Sequence, residues 1–283
     1  MSSTQSGAGD SLRQHSFQFE GVEVTYYRGG QGKPLLLLHG SGPGASSMGN
    51  WNPILPSLLE NFEVFAVDLV GFGKSGRKPH PPYFDFAMWV RQAKAMLDLV
   101  RPGEKVGVIG HSISAAVALS IASRNARIAA VLTTGAMGQR FAPVEQTESV
   151  WTGPRDRKQL VTTLSGIIFD ANVITEAYLQ AREPVVFAPG YADYFDQMFE
   201  GDKQHFVDAA ILSDELLASI QQPVVLLHGK QDIAFPASTS IELAQKLPHA
   251  ELMLLDRCSH SVAFERSSTL LAIANDHFSR HLN

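Results

Sequence analysis

Three features of the 283-residue sequence predict an α/β fold, a mostly parallel central sheet flanked by helices with an inserted helical cap. Strand-like and helix-like runs alternate along most of the chain, the pattern of repeated βα units. Several strand-like runs are apolar throughout, as strands buried on both faces must be. Between about residues 139 and 220 the strand signal vanishes. Short amphipathic helical pieces replace it, separated by Gly153-Pro154, Pro184 and Pro189-Gly190, until strand character resumes at QQPVVLLHG. The expected organisation is a core built from residues 1–138 and 221–283, with residues 139–220 as the cap.

Along the chain, the polar opening MSSTQSGAGDSLRQHS lacks the apolar centre of a signal peptide, and its first dozen or so residues are expected to be disordered. Strands are predicted over residues 22–27, 34–38 and 64–67, the second of them reading PLLLL. A helix follows over 86–99, then a strand at 105–109 and a small-residue helix at 114–124. The next strand is 129–133, and after the cap come strand 224–227, helix 238–247, strand 251–255 and helix 268–281. No internal repeat or low-complexity tract interrupts this order.

Composition narrows the function. A formal charge of −5 with no Lys/Arg cluster argues against a nucleic-acid partner. The single cysteine, Cys258, excludes an internal disulfide framework and a cysteine zinc cluster. Apolar runs are strand-sized, so no membrane partner is expected, and a cytoplasmic, reducing location is the simple reading. No His/Asp/Glu cluster has convincing metal-ligand spacing, and no cofactor is implied.

The stretch KVGVIGHSISAAVALSIAS carries the first chemical signal. A strand leads into Gly110-His111-Ser112-Ile113-Ser114, and a helix begins at once. Such an elbow lifts a serine hydroxyl above the sheet and aims the next N–H, that of Ile113, at the oxyanion its attack creates. Small residues are needed at 110 and 114 because strand and helix backbones meet there; Ser114 stands where such turns usually have glycine. An ordinary N-cap serine is the bland alternative. By contrast, Gly71-Phe72-Gly73-Lys74-Ser75-Gly76 fits G-x-G-x-x-G but runs into RKPHPP, so no helix opens to hold a pyrophosphate. It is read as a turn, with no dinucleotide.

A serine nucleophile needs a base and an orienting acid, each after a later strand of this topology. PVVLLHGKQDIAFP supplies Asp232 and ELMLLDRCSHSVAFE supplies His260. Each alone is weak evidence, since an aspartate after a strand is usually a turn former; their joint placement is not. His260 would act as general base and then acid, with Asp232 fixing its tautomer. Early in the chain, LLLLHGSGPGAS offers a glycine-rich loop in which the N–H of Ser41, or of Gly42, can be the second oxyanion donor.

Together these motifs resemble the α/β-hydrolase family over essentially the whole ordered chain, implying an α/β-hydrolase fold. The serine at the elbow argues against the dehalogenases and epoxide hydrolases of that fold, which use aspartate there. A narrower resemblance is to the meta-cleavage product hydrolases, which break a carbon–carbon bond in ring-opened aromatic compounds. HGSGPGAS…NW is similar to their oxyanion loop, whose substrate-facing asparagine maps to Asn50. IIFDANVITEAYLQARE is similar to their cap helix, whose substrate-binding arginine maps to Arg182. This chain departs at two substrate-facing positions, with His111 where members often have asparagine and Ser261 where they commonly have tryptophan.

The resemblance implies a small-molecule substrate, a 2-hydroxy-6-oxo-hexa-2,4-dienoate from aromatic degradation, and makes a homodimer or larger homo-oligomer plausible. Arg182 would grip its carboxylate. Read without the resemblance, Arg182 is a solvated helix arginine paired with Glu183 or a neighbour. The alternative activity is that of a carboxylesterase or lactonase using the same Ser112, His260 and Asp232; a ligand receptor built on the same fold is a third reading. Phe141, Trp151, Ile168 and Phe187 are candidates for the pocket wall.

Overall fold

Eight strands form one sheet in a computed structural model that describes residues 12–282. The tail expected to be disordered, residues 1–11, lies outside the described residues. The strands are β1 (Arg13–Phe19), β2 (Val22–Gly29), β3 (Lys33–Leu38), β4 (Phe62–Val67), β5 (Val106–His111), β6 (Ile128–Thr134), β7 (Val224–Gly229) and β8 (Ala250–Leu255). Their spatial order is β1-β2-β4-β3-β5-β6-β7-β8. From β4 to β8 every pairing is parallel, whereas β2 joins β1 and β4 antiparallel. All seven strands expected from the sequence are present, and β1 is an addition. It escapes the sequence reading because RQHSFQF is a mostly exposed edge strand that sets only Phe17 and Phe19 against the core.

The all-apolar strands serve two cores. In β3, Leu36 and Leu38 pack into the core on one face, while Leu35 and Leu37 pack into the core on the other. β7 divides likewise, with Val224 and Leu226 on the first face and Val225 and Leu227 on the second. This is the two-residue period of a pleated strand expressed with hydrophobic residues on both sides. Helices cover both faces: α1 (Ser47–Trp51) and α2 (Leu55–Leu59) follow β3, α3 (Phe86–Leu99) follows β4, and α4 (Ile113–Ala122) follows β5.

Between β6 and β7 the chain is helical: α5 (Glu145–Val150), α6 (Arg157–Ser165), a 3-10 turn (Ala171–Val173), α7 (Glu176–Val186), α8 (Tyr191–Met198), α9 (Lys203–Ala209) and α10 (Asp214–Ala218). Pro184, expected to end a helix, instead sits inside α7. It falls in the last turn, so the disturbance it causes is confined to the helix end. The break comes at Gly190, in the left-handed conformation. The chain ends with α11 (Ser238–Lys246), α12 (Val262–Glu265) and α13 (Ser267–His281). No helix among the described residues is long and apolar enough to cross a membrane.

The second glycine pattern is a turn. No helix opens until α3; Gly73 instead wraps the buried Asp68 carboxylate, which accepts the N–H groups of Ser47 at 2.7 Å and Lys74 at 2.9 Å. A Cβ at Gly73 would lie 2.2 Å from that carboxylate, so only glycine fits the wrap.

Candidate active site

Ser112 stands at the junction of β5 and α4 with φ 58° and ψ −124°. A positive φ on a non-glycine residue stores about 1–3 kcal/mol and persists only where its surroundings fix it. Here its N–H donates to Thr134 O at 2.9 Å, and its carbonyl accepts from Met137 N at 3.1 Å and Ala115 N at 3.0 Å. The strand and helix are so close that a Cβ at Gly110 would meet the Ser114 carbonyl oxygen at 2.4 Å. Ser114 is more than a tolerated substitute for glycine. Its hydroxyl donates to the carbonyl of His39 at 2.5 Å, tying the start of α4 to the end of β3.

His39 in turn shapes the loop carrying Ser41 and Gly42. Its Nδ1–H donates to Gly40 O at 2.6 Å, and its Nε2 accepts the Leu69 N–H at 3.0 Å. Full burial lowers its pKa, so the ring stays neutral in that tautomer. Ser41 is buried, and its hydroxyl accepts from Trp151 Nε1 at 3.1 Å. Ser41, Gly42 and Ser112 line one cleft. Ile113 is the first residue of α4, where the helix leaves its N–H groups without partners of its own.

His260 Nδ1 lies 2.6 Å from Asp232 Oδ2. A carboxylate can only accept, so Nδ1 carries a proton, and it is the neutral form of the ring that offers Nε2 as a base. The ring is stacked on Phe235 at 4.4 Å and backed by Gly135, where a Cβ would come within 2.8 Å of Nδ1. Asp232 also faces His228, whose Nε2 is 3.2 Å from Oδ2, and its Oδ1 accepts the Phe235 N–H at 3.0 Å. Burial by itself would raise the Asp232 carboxyl. Attraction to His260 in its protonated form and hydrogen bonds from His228 and His260 outweigh it, holding the group well below the usual carboxylate range. His228 is a site residue that the sequence reading missed; its position four residues before Asp232, at the end of β7, was the available signal.

The cleft is narrow, with free space of about 30 Å³, and is lined by Ser41, Gly42, Asn50, His111, Ser112, Arg182, His260 and Ser261 among others. Every side chain expected to face substrate thus borders one space, with Asp232 behind His260. The His111 ring lies 4.7 Å from that of His260, and its Nδ1 is 3.1 Å from Thr134 O. Burial first, then the charge of His260, keeps its pKa well below the usual value. Neutral His111 therefore donates through Nδ1 and leaves Nε2 as an acceptor.

The β6–β7 insertion contributes Val150, Leu164, Ile167 and Arg182 to the lining. None of the four proposed wall residues does. Phe141 packs on Phe235, Trp151 stacks on Phe199, Ile168 lies in the core, and Phe187 is 40% exposed. Sequence periodicity gives a helix face, and the roof is set by how α5 and α6 pack against the core.

Arg182 is the unusual charge. It is only 7% exposed, donates through Nη2 to Gly49 O at 2.9 Å, and lies over the Tyr178 ring at 4.6 Å. Its Nε has no partner. Glu183 pairs with Arg157 at 3.1 Å instead, and among the described residues no carboxylate pairs with Arg182.

Comparison with known proteins agrees with this fold. A family model described as alpha/beta hydrolase fold matches residues 33–267. A 2-hydroxy-6-oxo-2,4-heptadienoate hydrolase of Pseudomonas putida is 29% identical over 257 residues, covering 90% of this chain and 92% of that protein. A meta-cleavage product hydrolase from Pseudomonas fluorescens IP01, solved with acetates, superposes with a TM-score of 0.88 at 28% identity over 94% of this chain and 97% of that one. The 2-hydroxy-6-oxo-6-phenylhexa-2,4-dienoate hydrolase of a Rhodococcus strain gives 0.85 at 27% identity over 95% and 99%.

Proposed function

The chain belongs to the alpha/beta hydrolase fold family, and we propose that it is a serine-dependent hydrolase cleaving a carbon–carbon bond of a 2-hydroxy-6-oxo-dienoate formed by ring fission of an aromatic compound. The observation that carries this reading is Arg182, a buried cation without a carboxylate partner among the described residues, bordering the same cleft as Ser112. A buried charge left unpaired is expensive and calls for an anion. Esters of simple alcohols bring none; a dienoate brings a carboxylate. The relatives named as dienoate hydrolases support the same substrate class.

In this reading, residues 139–220 are a cap over a core formed by 1–138 and 221–283. Arg182 binds the substrate carboxylate, with Asn50, His111 and Ser261 around the chain that follows. The dienol ketonises, gaining a proton at C5 as its 2-hydroxyl gives one up. His260 Nε2 then removes the Ser112 proton as the oxygen attacks the C6 carbonyl, or Ser112 assists water in that attack. The N–H groups of Ile113 and Ser41, or Gly42, receive the oxyanion. The C5–C6 bond breaks with its electron pair passing into the conjugated 2-oxo acid, which leaves as a dienol, its proton returned by His260. Water completes the acyl half as a carboxylic acid, so one water is consumed per bond broken.

The test follows the visible absorbance of 2-hydroxy-6-oxo-hexa-2,4-dienoates bearing methyl, isopropyl or phenyl at C6, beside a p-nitrophenyl ester assay. Bleaching lost in both Ser112→Ala and Arg182→Ala is the expected result. Ester turnover that needs Ser112, ignores Arg182 and comes without bleaching would make the protein an esterase.

A further inference from the structure

His260 is held through its side chain by Asp232, but its main chain is held from the opposite direction by the β6–β7 insertion. The N–H groups of His260 and Ser261 both meet the carbonyl of Ile167, at 3.1 and 3.3 Å. Two residues further on, the N–H groups of Phe169 and Asp170 meet Glu265 Oε1 at 2.6 and 3.2 Å. The other oxygen of the same carboxylate, Oε2, accepts the N–H of Ser259 at 2.9 Å. Arg257, in the loop before His260, lies over the Phe169 ring at 5.7 Å. One carboxylate therefore bonds the insertion with one oxygen and the histidine loop with the other.

We propose that Glu265 is a positioning residue for the reaction, locking the loop that carries His260 to the strip 167–170 so that His260 is aligned only while the insertion is seated. This rests on the reading of Ser112 and His260 as nucleophile and base. Three main-chain N–H groups could be satisfied by water or a neutral acceptor at little cost. A partly buried carboxylate incurs a desolvation penalty, which raises its pKa, and returns charge-assisted bonds that are shorter and stronger. Such bonds suit a joint that must hold two segments at fixed distance. Ser259 immediately precedes His260, so slack at Glu265 is passed to the imidazole through one peptide unit. Arg182 belongs to the same insertion, so the group that would grip the substrate and the strip that backs the base share one segment of chain.

The experiment compares wild type, Glu265→Ala and Glu265→Gln by the rate at which a fluorophosphonate labels Ser112, by kcat and KM per labelled site on a dienoate, and by thermal midpoint. Glu265→Ala is expected to slow labelling and kcat together, on the order of tenfold to a hundredfold, with KM changed less than about threefold. Glu265→Gln keeps one acceptor oxygen and should lose less in the same direction, and it carries the test if the alanine variant does not fold. A lower midpoint with labelling and kcat per labelled site unchanged would overturn the proposal and leave Glu265 a fold contact. Failure of the wild type to label at Ser112 would overturn the nucleophile reading, and the inference with it.

Discussion

Replacing Arg182 by methionine should separate stability from activity. In the folded chain the guanidinium makes one hydrogen bond, to Gly49 O at 2.9 Å, and lies over Tyr178 at 4.6 Å. Losing a hydrogen bond from a charged group costs about 1.5–3 kcal/mol, and losing the ring contact about 0.5–2 kcal/mol. Against this, the variant no longer buries an ion, a penalty of several kcal/mol, and methionine refills the volume of the aliphatic stem. The terms nearly cancel, so urea unfolding should give a stability within about 1 kcal/mol of wild type. Activity has no such compensation. A substrate carboxylate deprived of its buried cation loses about 2–5 kcal/mol, or roughly 30-fold to several thousand-fold in kcat/KM. Turnover of a neutral p-nitrophenyl ester should change by less than about tenfold, because no anion is gripped. An equal fall on both substrates, accompanied by a stability loss above about 3 kcal/mol, would make Arg182 a structural strut and not a substrate anchor.

Three further outcomes are expected. Asp232→Asn should lower kcat on the order of 10³- to 10⁴-fold by releasing the His260 tautomer. Because the folded Asp232 pKa is depressed below its ordinary 3.8, its contribution to stability is present above that pH and is lost as the pH falls toward the folded value; acid unfolding curves of the variant should lack it. Ser114→Gly restores the residue such elbows usually carry, yet should destabilise by about 1–2 kcal/mol in urea, since the buried His39 carbonyl loses its donor; equal or greater stability would show that bond to be idle. His277 on α13 is buried, with Nε2 3.1 Å from Val131 O, and burial lowers its pKa from 6.5 to about 4. The unfolded chain binds this proton first, so stability falls as pH drops through that window, by about 2 kcal/mol at pH 5 relative to neutrality. His277→Gln should flatten that part of the urea-midpoint profile, and an unchanged profile would assign the dependence to other groups.

The residues proposed for catalysis were unusually legible because each sits where local chemistry is explicit. A strand running into Gly110-His111-Ser112 can hardly do other than form a tight elbow, and Asp232 and His260 each follow an all-apolar or leucine-rich strand by a few residues. Strand positions were equally readable where both faces are buried, as in β3 and β7. Signals failed where local composition was indifferent. β1 is an exposed edge strand with only Phe17 and Phe19 turned to the core, and α1, α2 and α12 are too short for periodicity to register.

The order of elements, and the spots where chemistry-bearing side chains meet a strand end, can be read from the chain without its fold. Those depend on period, turn residues and chain order, which are local. Long-range packing set which partner each side chain met: Ser114 with His39, Asp232 with His228, and Glu183 with Arg157 rather than Arg182. It also decided that Val150, Leu164 and Ile167, not the larger aromatics, roof the cleft. The reason is physical. An arginine on a helix reads the same whether its face meets water or another segment, and only the packing of residues more than a hundred positions apart, Arg182 against Gly49, turns it into a buried unpaired cation.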